Sequence, residues 1–268
     1  MATKLDLKRL AARSFGHLPR SGRRDIVLLY HSVGDSPWAV RTAQFGTQIE
    51  WLSEVAQIVS LAELMTDAPD APLRVAVTFD DGYASLYRVV RPIARAARLR
   101  PAVFLNTGFV GGSSRRKSEP RSGHYPQEEF LLWNEVEQLL ADGWTIGSHG
   151  VTHLDFTRAD DDVVRAQLRQ SKAVLERNVS VPCNYFAYTW GRNSRHLQEL
   201  VTEAGYLYAF AGVHAAVGAH YNPMAVPRIN VSQEYSFDDF KAIIRGDWDY
   251  LGWLQRARRP FYAEAIKD

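Results

Sequence analysis

The chain has 268 residues, 46% of them hydrophobic and 23% charged, with a formal net charge of +2. That is enough apolar material for one sizeable core, and the near-neutral balance gives no global reason to expect a nucleic-acid partner. The single cysteine, Cys183, excludes an intramolecular disulfide; no apolar run near the start is long enough for a signal-peptide core and none reaches membrane-spanning length, so the expected location is cytoplasmic.

Residues 1–24 set Lys4, Lys8, Arg9, Arg13, Arg20, Arg23 and Arg24 against one acid, Asp6. Leu7, Leu10, Ala11, Phe15 and Leu18 recur at helical spacing, so this segment reads as a basic amphipathic helix. Two readings stand beside each other. The helix packs its apolar stripe on the domain, or it lies on an anionic surface such as the inner face of a membrane.

From residue 25 to 246, short β-like runs alternate with helical patterns, which predicts an α/β domain with parallel strands. The predicted strands are 25–30, 56–60, 74–79, 102–105, 143–147, 184–188, 207–210 and 226–231. Helices are predicted over 43–55, 84–98, 133–142, 160–177, 194–204 and 236–245. The run Asp160-Asp161-Asp162 suits a helix N-terminus, where carboxylates meet free N–H groups, better than a metal site. Residues 107–131 contain no clear element; Gly111-Gly112-Ser113-Ser114, Arg115-Arg116-Lys117 and Pro120 leave a lid, a binding loop or disorder open. Residues 247–268 form an aromatic and basic tail with Trp248, Tyr250, Trp253, Arg256, Arg258, Arg259, Phe261 and Tyr262. Packing, a dimer contact and a membrane interface are all compatible with that composition.

The reactive side chains fall at strand ends. His31 follows the first strand, Asp80 and Asp81 the third, Asn106 the fourth and His149 the fifth, and the turn Tyr188–Gly191 follows the sixth. In a closed parallel barrel these ends converge on one mouth, where barrel active sites lie. Adjacent carboxylates repel, and a cation held by one of them removes that cost and leaves the other ionised as a base. Gly82 allows the sharp exit from the strand, although Asp-Asp-Gly also suits a simple turn. In Ser148-His149-Gly150-Val151-Thr152-His153 two imidazoles stand four residues apart beside glycines. A wrapped loop brings them to one metal, and two histidines with one carboxylate leave coordination positions for water; a structural histidine pair is the alternative.

This pattern resembles the polysaccharide deacetylase family, the chitooligosaccharide-deacetylase-like carbohydrate esterases. Thr78–Gly82 matches the family's first motif and His149–His153 its two-histidine motif, supported by Tyr30-His31-Ser32-Val33, Phe186–Gly191 and Ala225–Ile229. The likeness covers roughly residues 25–245 and is nearest to the branch acting on exopolysaccharides or other surface glycans. It implies an irregular (β/α) barrel of about seven parallel strands, in which Asp81, His149 and His153 hold one divalent metal. Zinc is the first expectation, and iron, cobalt and nickel are the metals of some relatives.

By the same resemblance Asp80 is the base, His31 the acid, and the Trp190 backbone helps hold the oxyanion, with Tyr188 and Asn106 beside the substrate. Ala187 stands where other branches place an arginine that braces the base, and Arg228 is the substitute. Two further departures are Gly150 for a usual Ser or Thr and Thr189 for a usual Pro. The implied activity is removal of an N-acetyl group from an amino sugar in a polysaccharide or its biosynthetic intermediate. The rivals are a cyclic-amide hydrolase on the same scaffold and a non-catalytic glycan-binding protein. His124, His214 and His220 are the other histidines to which the acid role would fall.

Overall fold

The computed structural model describes residues 3–15, 22–66 and 71–258. Eight strands form one sheet: β1 (Arg24–Tyr30), β2 (Gln57–Ile58), β3 (Leu73–Phe79), β4 (Ala102–Leu105), β5 (Thr145–Ser148), β6 (Tyr185–Ala187), β7 (Tyr208–Phe210) and β8 (Ile229–Asn230). The order is β7-β6-β5-β4-β3-β1-β8, with β2 beside β3, and every pairing is parallel.

The return segment before β8 curls this sheet into an irregular barrel. Val226 N–H donates to Ala209 O and accepts from Ala211 N–H at its own carbonyl, both at 2.8 Å, so it pairs with β7. Three residues on, β8 pairs with β1, and Val231 N–H reaches Leu29 O at 2.9 Å. Residues 226–231 therefore join both edges, but only Ile229–Asn230 is regular strand. The change of partner and Pro227, which has no N–H to donate, break the ladder.

Apart from the short β2 and β8, the strands are buried on both faces, which explains their near-continuous apolar sequences. One face of each strand meets the helices, through residues such as Ile26, Leu28, Tyr30, Val75, Val77, Phe79, Val103 and Leu105. The alternate residues Val27, Ala76, Ala102, Phe104, Ala187 and Phe210 fill the interior with Val226. The two-residue period then sends the interior face of each strand on to the mouth: Ala76-Thr78-Asp80, Phe104-Asn106 and Gly147-His149.

The helices are α1 (Lys4–Phe15), α2 (Thr42–Val55), α3 (Leu61–Met65), α4 (Arg91–Ala96), α5 (Trp133–Ala141), α6 (Asp161–Val179), α7 (Arg195–Glu203), α8 (Phe237–Arg245) and α9 (Tyr250–Arg258). The expected helix over 84–98 opens instead as a π-helical turn at Leu86–Val90. Its last bond, Arg91 N–H to Leu86 O, comes just before Pro92, which cannot donate. The short α3, held by a capping box between Ser60 and Glu63, lies outside the predicted elements. Asp161 and Asp162 occupy the first turn of α6, but Asp160 makes no side-chain cap bond, so the acidic run acts there through charge.

The terminal helices pack together. Ala12 of α1 is buried, Arg9 grips Asp239 with three hydrogen bonds of 2.7–3.2 Å, and Tyr250 Oη donates to Lys8 O. Leu7 and Leu10 of the predicted amphipathic stripe remain exposed, as do Trp253 and Leu254 of α9. Residues 16–21 and 259–268 of the two terminal segments lie outside the described residues. Among those described, no helix is long and apolar enough to cross a membrane.

Candidate active site

At the end of β3 the chain turns through two consecutive left-handed residues, Asp81 (φ 70°) and Gly82 (φ 83°). The turn lets adjacent aspartates face one mouth, although neighbours in an extended strand point to opposite faces. Gly82 is needed for a second reason: a Cβ there would stand 2.5 Å from Leu105 Cδ2. Asp80 is 3% exposed and is clamped by Arg228, 1% exposed, whose Nη1 and Nη2 donate to its two oxygens at 2.7 and 2.8 Å. The guanidinium lies 5.3 Å from the Phe104 ring centroid inside the barrel. Burial alone would raise the Asp80 pKa; the Arg228 charge and paired hydrogen bonds outweigh it and hold the carboxyl below the usual carboxylate range.

His149 and His153 meet the other aspartate. His149 Nδ1 lies 2.8 Å from Ala187 O, and His153 Nδ1 2.6 Å from Ser122 O. Each carbonyl requires a proton on Nδ1, so both Nε2 lone pairs are left free. Those nitrogens are 3.7 and 3.5 Å from Asp81 Oδ1, and one ligand atom from each of the three residues lies within 4.8 Å of the others. Two lone pairs and a carboxylate oxygen, buried and facing one another, repel unless a cation lies between them. Their spacing suits atoms each about 2 Å from one ion. Burial pushes the His149 pKa down to about 4 against the pull of Asp80 and Asp81, which favours the neutral imidazole that ligation requires.

The stretch 107–131, without a clear element in the sequence, folds across this mouth. It is pinned by bridges Gly111–Leu132, Lys117–Glu129 and Phe130–Tyr83, and by Arg115 donating to Phe130 O and to the Glu135 carboxylate. It supplies Ser122 O to His153, packs Gly123 against the Trp190 indole, and lays Tyr125 on His31 with ring centroids 5.2 Å apart. It also brings His124, 2% exposed, to 4.9 Å from the His153 ring. None of these contacts follows from a motif; the one sequence signal is the cluster Ser122-Gly123-His124-Tyr125 within an otherwise polar loop.

The remaining predicted residues divide. His31 is half-buried at the mouth against Tyr125. Trp190 stands beside His153, ring centroids 5.0 Å apart, on a backbone at φ 60°. Asn106 is buried and donates from Nδ2 to Asp81 Oδ1 at 3.0 Å, so it grips the ligand carboxylate, while its Oδ1 has no partner among the described residues. The Tyr188 side chain does not reach the mouth. Ala187 takes the inward position, so Tyr188 turns to the helix layer, where its hydroxyl donates to Met224 O. Of the other histidines, His214 is buried beside α9, its N–H donating to Gln255. His220 is exposed near Val217, which bridges Asp25 at the barrel's opposite end.

Comparison with known proteins agrees with this architecture. The family model described as polysaccharide deacetylase matches residues 67–209. The chain is 26% identical over 218 residues to a poly-beta-1,6-N-acetyl-D-glucosamine N-deacetylase of Staphylococcus aureus (strain N315), covering 79% of this chain and 72% of the relative. It is 22% identical over 224 residues to the putative polysaccharide deacetylase YxkH of Bacillus subtilis (strain 168), covering 81% and 75%. Among solved structures, the Streptococcus pyogenes deacetylase PplD in complex with acetate superposes with a TM-score of 0.71 at 18% identity, covering 84% of this chain and 99% of that one. IcaB from Ammonifex degensii superposes with a TM-score of 0.70 at 22% identity, covering 85% and 98%. These structures share the fold, the family match takes in more than half of the residues, and the chain belongs to the polysaccharide deacetylase family.

Proposed function

We propose that this protein hydrolyses the N-acetyl group of an amino sugar in a polysaccharide or its biosynthetic intermediate, releasing acetate and a free amine. The observation that carries the reading is the pairing of a buried, ionised base with a separate metal-capable set on the next residue: Asp80 clamped by Arg228, beside Asp81, His149 and His153. A glycan-binding protein without catalysis has no use for a carboxylate held ionised in that position.

An ion held by Asp81, His149 and His153, zinc in this reading, would supply Lewis acidity to the acetyl carbonyl and to the attacking water. Asp80 takes a proton from that water as it adds to the carbonyl carbon. Arg228 keeps both carboxylate oxygens fixed and the group ionised, so proton uptake needs no rearrangement. When the C–N bond breaks, His31 gives a proton to the sugar nitrogen, which would otherwise leave as an amide anion. The backbone at Trp190 is assigned to the carbonyl oxygen as charge develops on it.

The test is acetate release from N-acetylated polymer, lipid-linked sugar and nucleotide sugar by the metal-reconstituted protein. The polymer named for the Staphylococcus relative is the first substrate to try. One divalent ion per chain, loss of turnover with chelator and recovery with zinc are expected. Stoichiometric metal without acetate from any of the three substrates would sink the reading, and release of acid from cyclic amides instead would select the rival hydrolase.

A further inference from the structure

Trp38 is 55% exposed, at the tip of the loop that leaves β1 directly after His31. The loop is not loose. Gly34 N–H donates to Val40 O at 2.9 Å and Val40 N–H to Ser32 O at 3.0 Å, which closes its base. Ser32 and Ser36 both donate hydroxyl protons to the buried Oε1 of Glu128, at 2.6 and 2.5 Å. Gln233 donates to Pro37 O from the other side. Glu128 stands three residues after Tyr125 on the segment that crosses the mouth, so the same hydroxyl–carboxylate clasp holds Trp38 beside Tyr125, ring centroids 6.4 Å apart. Tyr125 N–H is in turn tied to Tyr83 Oη at 2.7 Å. A large aromatic group is thus held in water by a built scaffold, an arrangement that packing within the chain does not explain.

Its position gives it a use. Trp38 leads through Tyr125 to His31 on the β1 side of the mouth. On the β6 side a second exposed indole, Trp190 at 47%, stands beside His153. In the strand order β6-β5-β4-β3-β1 the aspartates and metal-capable histidines lie between the two. The electron-rich face of an indole attracts the slightly positive C–H bonds along a pyranose ring, and aromatic walls with a few fixed polar groups are how concave sites hold such ligands.

We infer that Trp38, held against Tyr125, is a binding subsite for a sugar unit neighbouring the one that is deacetylated, so that the substrate is a glycan chain lying across the mouth between Trp38 and Trp190. This deepens the deacetylase reading and rests on it for the position of the reacting sugar. A single sugar fills the mouth alone; a chain gains the Trp38 contact as well. Because the contact exists before and during reaction alike, it acts on KM more than on kcat.

The experiment compares wild type with Trp38→Ala and Trp38→Phe on β-1,6-linked N-acetylglucosamine oligomers from one to five units, reading acetate release. In wild type, kcat/KM rises with length. In Trp38→Ala the ratio of kcat/KM for the pentamer to that for the monomer falls roughly tenfold, mainly through KM, and Trp38→Phe recovers part of it. An unchanged ratio in Trp38→Ala overturns the subsite and leaves the deacetylase reading standing. If wild type releases no acetate from any oligomer, the deacetylase reading fails on that substrate. Calorimetric binding of the pentamer to metal-free protein then decides the subsite, with binding lost in Trp38→Ala supporting it and no binding by wild type overturning it. A change in sedimentation of Trp38→Ala without a change in KM would make Trp38 a contact between copies of the chain and overturn it too.

Discussion

Arg228→Met separates the electrostatic account of the mouth from a purely steric one. Methionine keeps much of the length and apolar volume of the stem, so the main loss is the two hydrogen bonds of 2.7 and 2.8 Å and the positive charge on a buried carboxylate. Breaking a buried pair from one side costs about 3–5 kcal/mol, because the orphaned charge stays buried. For a domain of this size that is a fall in Tm of roughly 10 °C, measured by circular dichroism with the metal chelated so that no other cation compensates. The pH dependence has a definite sign. In wild type the depressed Asp80 pKa contributes stability that is present above the unfolded carboxylate value and lost as pH falls through the folded one. In Arg228→Met the largest charge opposing burial is gone, so that pKa rises relative to wild type, the variant regains stability as Asp80 takes up a proton, and the gap between the two proteins narrows toward acid pH. The double variant Arg228→Met/Asp80→Asn removes the orphan charge and should recover most of the lost Tm, while acetate release stays abolished. If it is as unstable as Arg228→Met alone, packing of the guanidinium against Phe104 dominates and the electrostatic reasoning fails.

Three other outcomes follow from the same geometry. Asp80→Asn should keep its metal and lose turnover by about 10²–10⁴-fold, whereas Asp81→Asn should first lose metal; elemental analysis showing equal metal loss in both would contradict the division of roles. His31→Gln should slow acetate release by about 10²–10⁴-fold with metal content unchanged; turnover equal to wild type would move the acid role to His124, which also stands near the mouth outside the metal set. Gly123→Ala places a Cβ 1.9 Å from the Trp190 ring at a position with φ of 88°, so the segment must shift and draw Ser122 O away from His153. Metal affinity should fall about 10–100-fold in competition with a chelator, and unchanged affinity would show that the carbonyl does not orient the ligand.

The sheet was legible because most of the predicted strands are short, largely apolar runs that need no distant partner to identify them. Strand-end chemistry was legible for the same reason: once a barrel is drawn, His31, Asp80, Asn106 and His149 fall at its mouth. Tyr188 shows what was read too freely. Its motif neighbours suggested substrate contact, but the strand's two-residue period already sets Tyr188 opposite to Ala187, and the observed burial follows that parity. The covering segment was not legible, because its decisive contacts are a backbone carbonyl from Ser122 and the missing side chain of Gly123, neither of which residue type announces. Arg228 and Asp80 lie 148 residues apart, so no local motif pairs them; the family resemblance suggested a bracing arginine, and a strand whose neighbours point inward suggested Arg228.

Backbone strain supplies a criterion independent of that resemblance. Among the described residues, six that are not glycine have positive φ, and Asp81, His153 and Trp190 are three of them, at 70°, 56° and 60°. A left-handed residue with a side chain carries a cost, and it persists only where the surrounding contacts over-determine it. Here those contacts are identifiable: Asn106 holds the Asp81 carboxylate, Ser122 O holds the His153 ring, and Gly191 meets Gly212 so closely that a Cβ would stand 2.5 Å away. The three side chains meet in one space: His153 Nε2 stands 3.5 Å from Asp81 Oδ1, and the His153 and Trp190 rings are 5.0 Å apart. Chain strain, interior-face parity and charge pairing converge on that same space, so the site stands on the physics of this chain as well as on its relatives.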